Sequence, residues 1–205
     1  MLLKLGGPGI TIKPIISMSG NHEINQVFFD NVRVPQANRV GAENDGWAVA
    51  KYLLEFERGG RGWGARLRGN FAILKELSQT RGLDKDAFNQ RLARLEMDIQ
   101  AVEITEQRVI IELQKTGRIG PASSLLKLCA GNALQAITEC SLEAIGVYAA
   151  PHQLAARDWG SNLEPIGSND ELTVVASYLD QRARSIAGGS SEVQRNIMAK
   201  HILGM

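Results

Sequence analysis

The sequence predicts a mainly α-helical chain: an antiparallel four-helix bundle preceded by a few β-strands from an incomplete β domain. Three observations predict it. From Gly46 onward the pattern is helical, and in its clearest stretch apolar residues recur at alternating spacings of four and three. Residues 1 to about 43 instead alternate in the strand manner. Glycine, proline and small polar residues gather between the periodic stretches rather than within most of them.

The β segment contains Ile10-Thr11-Ile12 and Ile24-Asn25-Gln26-Val27-Phe28-Phe29, bounded by Gly6-Gly7-Pro8-Gly9 and Ser19-Gly20-Asn21. β-branched and aromatic runs of this length favour strands. Two or three strands are marginal in water without further strands or a packed helix. The segment therefore reads as the tail of a larger β domain, giving a division into residues 1–43 and a helical domain at 44–205.

The clearest helix spans about Asp86 to Lys115, with Phe88, Leu92, Leu95, Ile99 and Val102 forming a stripe that needs a facing helix, and Asp84 as its cap. A segment from Asp45 to Thr80 precedes it. Another, Pro121 to Tyr148, follows, with Leu125, Leu128, Leu134, Ile137 and Leu142 expected on its inner side. A fourth helix is expected over Asp170 to Ala187, carrying Leu172, Val175, Leu179 and Ile186. Four such helices imply an antiparallel bundle. Gly59, Gly60, Gly62, Gly64 and Gly69 sit in the first of them, each costing up to about 1 kcal/mol against alanine. Close helix packing or close approach of a ligand would offset that cost.

Bulk properties exclude several classes. The chain has 205 residues, and 23 basic against 22 acidic side chains give a formal net charge of +1. That balance exerts no long-range pull on nucleic acid or an anionic membrane. No apolar run approaches the roughly 20 residues of a membrane span, and no secretory signal pattern opens the chain, so a soluble, cytoplasmic protein is expected. Cys129 and Cys140 fall at apolar positions of one expected helix, about 16 Å apart along its axis. That is too far for a disulfide within a straight helix, so both are expected as buried thiols. His22, His152 and His201 lack metal-ligand spacing. Trp47, Trp63 and Trp159 read as core or interface residues, and the arginines at 58, 61, 66 and 68 as a solvated or ion-paired face.

Near the C-terminus, Ala187-Gly188-Gly189-Ser190-Ser191-Glu192-Val193-Gln194-Arg195-Asn196-Ile197 concentrates glycines, hydroxyls and a helix start. Ser190 is suited to cap a helix running to about Leu203, and the exposed N–H groups of that first turn favour an anion. A plain structural cap has the same appearance.

Read through Met198-Ala199-Lys200-His201-Ile202-Leu203-Gly204, this stretch resembles the C-terminal signature of the flavin-dependent acyl-CoA dehydrogenases. Asn25 to Pro35, followed by Val40-Gly41 and Gly46-Trp47, resembles the strand and crossover that lead from the β domain of that family into its helical domain. The two matches lie near opposite ends of the chain in the family's order. The resemblance implies FAD as cofactor, an acyl-CoA substrate, and a carboxylate base that takes the proton next to the thioester carbonyl. In one branch of the family the base stands at the position of Gly188, which cannot serve. Other members carry a glutamate directly before an arginine on the first long helix, and here that pair is Glu57-Arg58.

The resemblance thus implies Glu57 as base, with Arg58 shaping the site. Apolar neighbours and a bound acyl chain would raise such a carboxylate toward the working range of a general base. It also implies flavin contacts from Gly188, Gly189, Ser190 and Glu192, while Gln194 and Arg195 are structural. Two departures stand out. An Arg-x-x-Phe-Gly element that reaches a neighbouring subunit's flavin is absent from Gln79-Thr80-Arg81-Gly82-Leu83-Asp84, and Gly146-Val147-Tyr148-Ala149 replaces a Gly-Gly-Asn-Gly.

Those departures, with Pro121 to Lys127 and Leu142 to Pro151, resemble the subgroup of the pimeloyl-CoA dehydrogenase large subunit. Implied partners are an electron-transfer flavoprotein or similar acceptor and either like copies or an unlike subunit. A catalytically incomplete assembly module and an acyl-CoA oxidase-type flavoenzyme are the alternatives.

Overall fold

The computed structural model describes residues 1–57, 62–83 and 85–205, the side chains of 55–57 excepted. The chain divides into two compact units, Met1–Phe56 and Glu57–Met205.

In the first unit, β1 (Ile10–Ile16) and β2 (His22–Phe29) pair antiparallel, Ile10 opposite Phe29 and Ile15 opposite Ile24. Both lie where the alternating pattern puts them. Ile12, Ile16, Ile24, Val27, Phe28 and Phe29 are nevertheless exposed, so the hairpin has no covered face within this unit. A 3-10 turn at Gln36–Asn38 follows, and helix α1 (Gly46–Glu57) supplies the rest of the unit as far as Phe56. The turn is tied back to the start of the chain, with the Leu2 N–H donating to the Asn38 carbonyl at 2.7 Å and Asn38 Nδ2 to the Leu2 carbonyl at 3.1 Å.

In the second unit, α2 (Trp63–Thr80), α3 (Asp86–Thr116), α4 (Ala122–Ile145) and α6 (Val174–Gln181) form the bundle, with α5 (Leu154–Arg157) in the connection before α6. Helix α7 (Ser191–Ile202) closes the chain. Short connections at 81–85 and 117–121 make α2, α3 and α4 antiparallel neighbours. Helix α4 packs against α2, α3, α6 and α7, and this sets its pattern. Leu126, Ala130, Leu134, Ile137 and Ile145 are buried, as are Leu67, Phe71 and Leu74 of α2 and Phe88, Leu95, Ile99 and Val102 of α3.

Several expectations need correction. Asp45 to Thr80 is not one helix: α1 ends at Glu57, and Gly62, at φ +64°, stands before a new start at Trp63. The Asp170 to Ala187 helix reduces to Val174–Gln181 plus a 3-10 turn at Arg182–Ser185, and Ile186 is exposed. Cys129 and Leu125 are exposed, while Cys140 is buried. They share a strip of α4 left exposed among the described residues. Trp63 is core, whereas Trp47 and Trp159 face solvent. Asp84, expected to cap α3, lies outside the described residues, as do Arg58, Gly59, Gly60 and Arg61.

Gly64 has a packing reason. A Cβ there would sit 2.7 Å from Cγ of Glu103 and 3.3 Å from Oε2 of Glu106, so only glycine lets α2 approach α3 this closely. Gly64→Ala is expected to cost about 1–3 kcal/mol despite alanine's better helix propensity, read as a lower urea midpoint with unchanged slope. Nothing in the structure explains Gly69, where an added Cβ meets open space.

No helix among the described residues is long and apolar enough to cross a membrane. Among the same residues, no group of three His, Cys, Asp or Glu side chains is placed to hold a metal ion.

Candidate functional site

The turn before α7 is built from both sides. Gly188 and Gly189 have φ of +72° and +95°, and a Cβ on Gly189 would lie 2.5 Å from Nε2 of Gln194. Buried side chains of α4 and α7 hold the two carbonyls. Lys127 Nζ donates to the Gly189 oxygen at 2.7 Å, and Gln194 Nε2 donates to the Gly188 and Gly189 oxygens at 3.0 and 3.3 Å. Gln194 is fully buried and Lys127 nearly so. A glycine pair that would otherwise be free is thereby fixed at the start of a helix.

Ser190 caps that helix as its sequence position suggests. Its Oγ accepts from the Val193 N–H at 3.3 Å, and its carbonyl accepts from the Gln194 N–H at 3.0 Å. Glu192, exposed in the first turn, has its carboxyl held below the usual carboxylate range, first by its own backbone N–H and then by the Ser190 hydroxyl. A negative group therefore already sits at this helix start, in keeping with the dipole there. The turn brings Gly188, Gly189, Ser190 and Glu192 together and presents backbone N–H groups, one hydroxyl and one carboxylate. Gln194 holds the turn, as expected. Arg195 lies 3.7 Å from Glu192 in an exposed pair.

The expected base is placed by its backbone alone. Glu57 is the last residue of α1, its side chain lies outside the described residues, and Arg58 lies outside them altogether.

Three polar groups of the second unit went unmarked in the sequence. Lys127 holds the α7 turn, as above. Glu106, on the buried face of α3, accepts from the Trp63 and Gly64 N–H groups at 2.8 and 2.9 Å and so caps α2 through its side chain. Both residues carried a signal: each is a charge placed where the apolar stripe of its helix continues, Lys127 beside Leu126, Ala130 and Leu134, and Glu106 beyond Ile99 and Val102.

The third is buried Glu171, which pairs with Arg81 and accepts from the Ser168 N–H at 2.9 Å. Arg81 also lies over the Tyr148 ring, 4.2 Å from its centre. The two stretches that depart from the family pattern, 79–84 and 146–149, therefore meet in one cluster. An open cleft of about 490 Å³ adjoins it, lined by Ile73, Glu76, Thr80, Asn169 and Asp170.

Burial pushes the Glu171 carboxyl upward, but hydrogen bonds from Arg81 and Ser168 outweigh it and hold the group below the usual range. The pair's contribution is thus fully present above the unfolded carboxylate value near about 4.3 and is lost as pH falls through the lower folded value. Arg81→Ala removes the cation that pairs with buried Glu171 and is expected to lower stability near neutrality. The deficit should shrink on acidification, and adding Glu171→Gln should recover part of it. Urea unfolding at neutral and acid pH checks this.

The comparisons agree with the architecture. A family model described as "Acyl-CoA dehydrogenase, C-terminal domain" matches residues 44–203. The acyl-CoA dehydrogenase IpdE1 of Mycolicibacterium smegmatis (strain ATCC 700084 / mc(2)155) is 32% identical over 208 residues, covering 100% of this chain and 48% of that protein. The acyl-CoA dehydrogenase FadE34 of Mycobacterium tuberculosis (strain ATCC 25618 / H37Rv) is 33% identical over 207 residues, covering 100% of this chain and 26% of its own length. Among solved structures, the ChsE4-ChsE5 complex from Mycobacterium tuberculosis superposes with a TM-score of 0.73 at 23% identity, covering 97% of this chain and 50% of that one. The Tcur3481-Tcur3483 steroid ACAD gives 0.77 at 20% identity, covering 97% and 49%.

The chain belongs to the acyl-CoA dehydrogenase family and carries its C-terminal helical domain. It spans about half the length of IpdE1 and about a quarter of FadE34.

Proposed function

We propose that this chain is the C-terminal part of an FAD-dependent acyl-CoA dehydrogenase that introduces an α,β double bond into an acyl-CoA thioester, with Glu57 as the base. The observation that carries the reading is the coupling of a family match over residues 44–203 with two features of the sequence: glycine at 188 and a glutamate–arginine pair at 57–58. The Glu57 carboxylate takes the proton from the carbon next to the thioester carbonyl. FAD, when bound, supplies the acceptor for the hydride that leaves the neighbouring carbon. The division at 43/44 belongs to the same proposal, supported by the start of the family match at residue 44.

The α7 turn suits the flavin. Gly188, Gly189 and Ser190 offer close backbone approach, N–H donors and a hydroxyl, while the Glu192 carboxylate competes with any anionic group placed against the helix start. The turn therefore favours a neutral hydrogen-bonding part of the cofactor over its phosphates. Arg81 is engaged by Glu171 and Tyr148, which argues against that corner reaching a neighbouring subunit's flavin.

The partners that follow are an acyl-CoA substrate, an electron-transfer flavoprotein or similar acceptor, and further copies or an unlike subunit. FAD titration of the purified chain, followed by its visible spectrum, tests the cofactor part. Stoichiometric binding weakened by Ser190→Ala supports the reading. No binding, by the chain alone or assembled with an unlike subunit, would leave it a helical assembly module.

A further inference from the structure

We propose, on the flavin reading above, that Lys127 is a positioning residue for the reaction: acting through the Gly189–Ser190 amide, its buried ammonium raises the reduction potential of flavin bound at the α7 turn. Lys127 is 8% exposed, on the stretch of α4 that also buries Leu126 and Ala130, and its Nζ donates to the Gly189 oxygen at 2.7 Å. The turn is satisfied without that bond. Gln194 Nε2 already reaches the Gly188 and Gly189 oxygens at 3.0 and 3.3 Å. Burying an ammonium carries a desolvation cost that a methionine of similar length would avoid. A charge kept where a neutral side chain would hold the fold points to a role for the charge itself. The buried Oε1 of Gln194 has no partner, so the polar groups here are arranged around the two carbonyls and not for the lowest energy of the fold.

The geometry shows where the charge acts. One donor atom, Gln194 Nε2, reaches both oxygens, so the two carbonyls face the same way, toward buried side chains. The peptide bonds are trans and planar, and the N–H of each unit points opposite to its carbonyl. The Gly189 and Ser190 N–H groups therefore face away from Lys127 and Gln194. Both residues are only half-buried, and among the described residues neither N–H has an acceptor. The Ser190 N–H shares its amide with the carbonyl that Lys127 holds. Linked hydrogen bonds polarise one another, so a cation at the carbonyl end strengthens the donor at the other.

A neutral flavin that takes up a hydride gains one negative charge. A strengthened donor with a fixed cation behind it favours that reduced form over the oxidised one. Glu192 opposes this from the same turn, but its carboxylate is exposed and screened by water and salt, whereas Lys127 acts from the interior. The field of Lys127 does reach the outer side of the turn. It contributes to the lowering of the Glu192 carboxyl, after the Glu192 backbone N–H, the Ser190 hydroxyl and Arg195.

Anaerobic redox titration of the FAD-loaded protein against reference dyes, alone or assembled with an unlike subunit, provides the test. In Lys127→Met and Lys127→Gln the ratio of reduced to oxidised flavin at a fixed poise should fall at least about tenfold, a shift of about 30 mV for a two-electron couple. Glutamine retains a neutral donor, so its loss reports the charge. Lys127→Arg, which keeps the charge, should stay at the wild-type potential. Far-UV helicity and the urea midpoint should stay close to wild type, because Gln194 still holds both carbonyls. A structural role alone would move the midpoint and leave the potential unchanged. Should Lys127→Met fail to fold, Lys127→Gln carries the same comparison. A wild-type potential in the neutral variants overturns the proposal and leaves the flavin reading intact. A wild-type protein that binds no flavin in either assembly overturns both.

Discussion

Glu57→Gln is expected to slow acyl-CoA-driven reduction of the bound flavin by about 10²–10⁴-fold, the usual share of a positioned general base, while Glu55→Gln leaves the rate at the wild-type level. Glutamine keeps the size and polarity of the side chain but cannot accept the proton. Glu55 is the matched control, two residues away on α1. Rapid mixing of flavin-loaded protein with an acyl-CoA, followed at the oxidised-flavin band, separates the two. Equal losses in both variants would assign the effect to the fold of α1, and a fast Glu57→Gln would move the base elsewhere.

The second large effect concerns Glu106. Its two carboxylate oxygens each serve one buried backbone donor, Trp63 N–H and Gly64 N–H. Glu106→Ala leaves both donors without an acceptor at the first turn of α2, and charged hydrogen bonds of this kind contribute about 1.5–3 kcal/mol each. A loss of about 2–4 kcal/mol is expected, since the small cavity can admit water to part of the site. Glu106→Gln should not rescue it, because its amide NH₂ must face one of the two N–H groups. Rescue by glutamine in urea unfolding would mean that one acceptor suffices.

How much was legible in the sequence follows the strength of local signals. Helix α3 runs from Asp86 to Thr116, within a residue of its expected end, because a long 3-4 repeat has only one reading. Ser190 as a cap followed from a hydroxyl placed between glycines and a helical run. The break before α2 was not legible, since a glycine-rich stretch reads equally as a strained helix or an interrupted one, and the φ of Gly62 decides. The start of α6 moved from Asp170 to Val174 because Glu171 turns inward to Arg81, a partner ninety residues away in sequence.

Cys129 and Leu125 illustrate a different limit. Helix α4 is covered on most sides, so its apolar residues run nearly all round, and periodicity alone cannot mark the strip left to solvent. Glu106 and Lys127 were visible as charges interrupting an apolar face. What they hold depends on which helices face them, and that is a property of the fold.

The central claim is that this chain supplies the proton-abstracting half of an acyl-CoA dehydrogenase. The direct measurement is anaerobic bleaching of flavin bound to the wild-type protein, alone or assembled with an unlike subunit, on addition of saturated acyl-CoA thioesters. Loss of the oxidised-flavin band with formation of the matching enoyl-CoA is the predicted result. Stoichiometric flavin that no thioester reduces would contradict it.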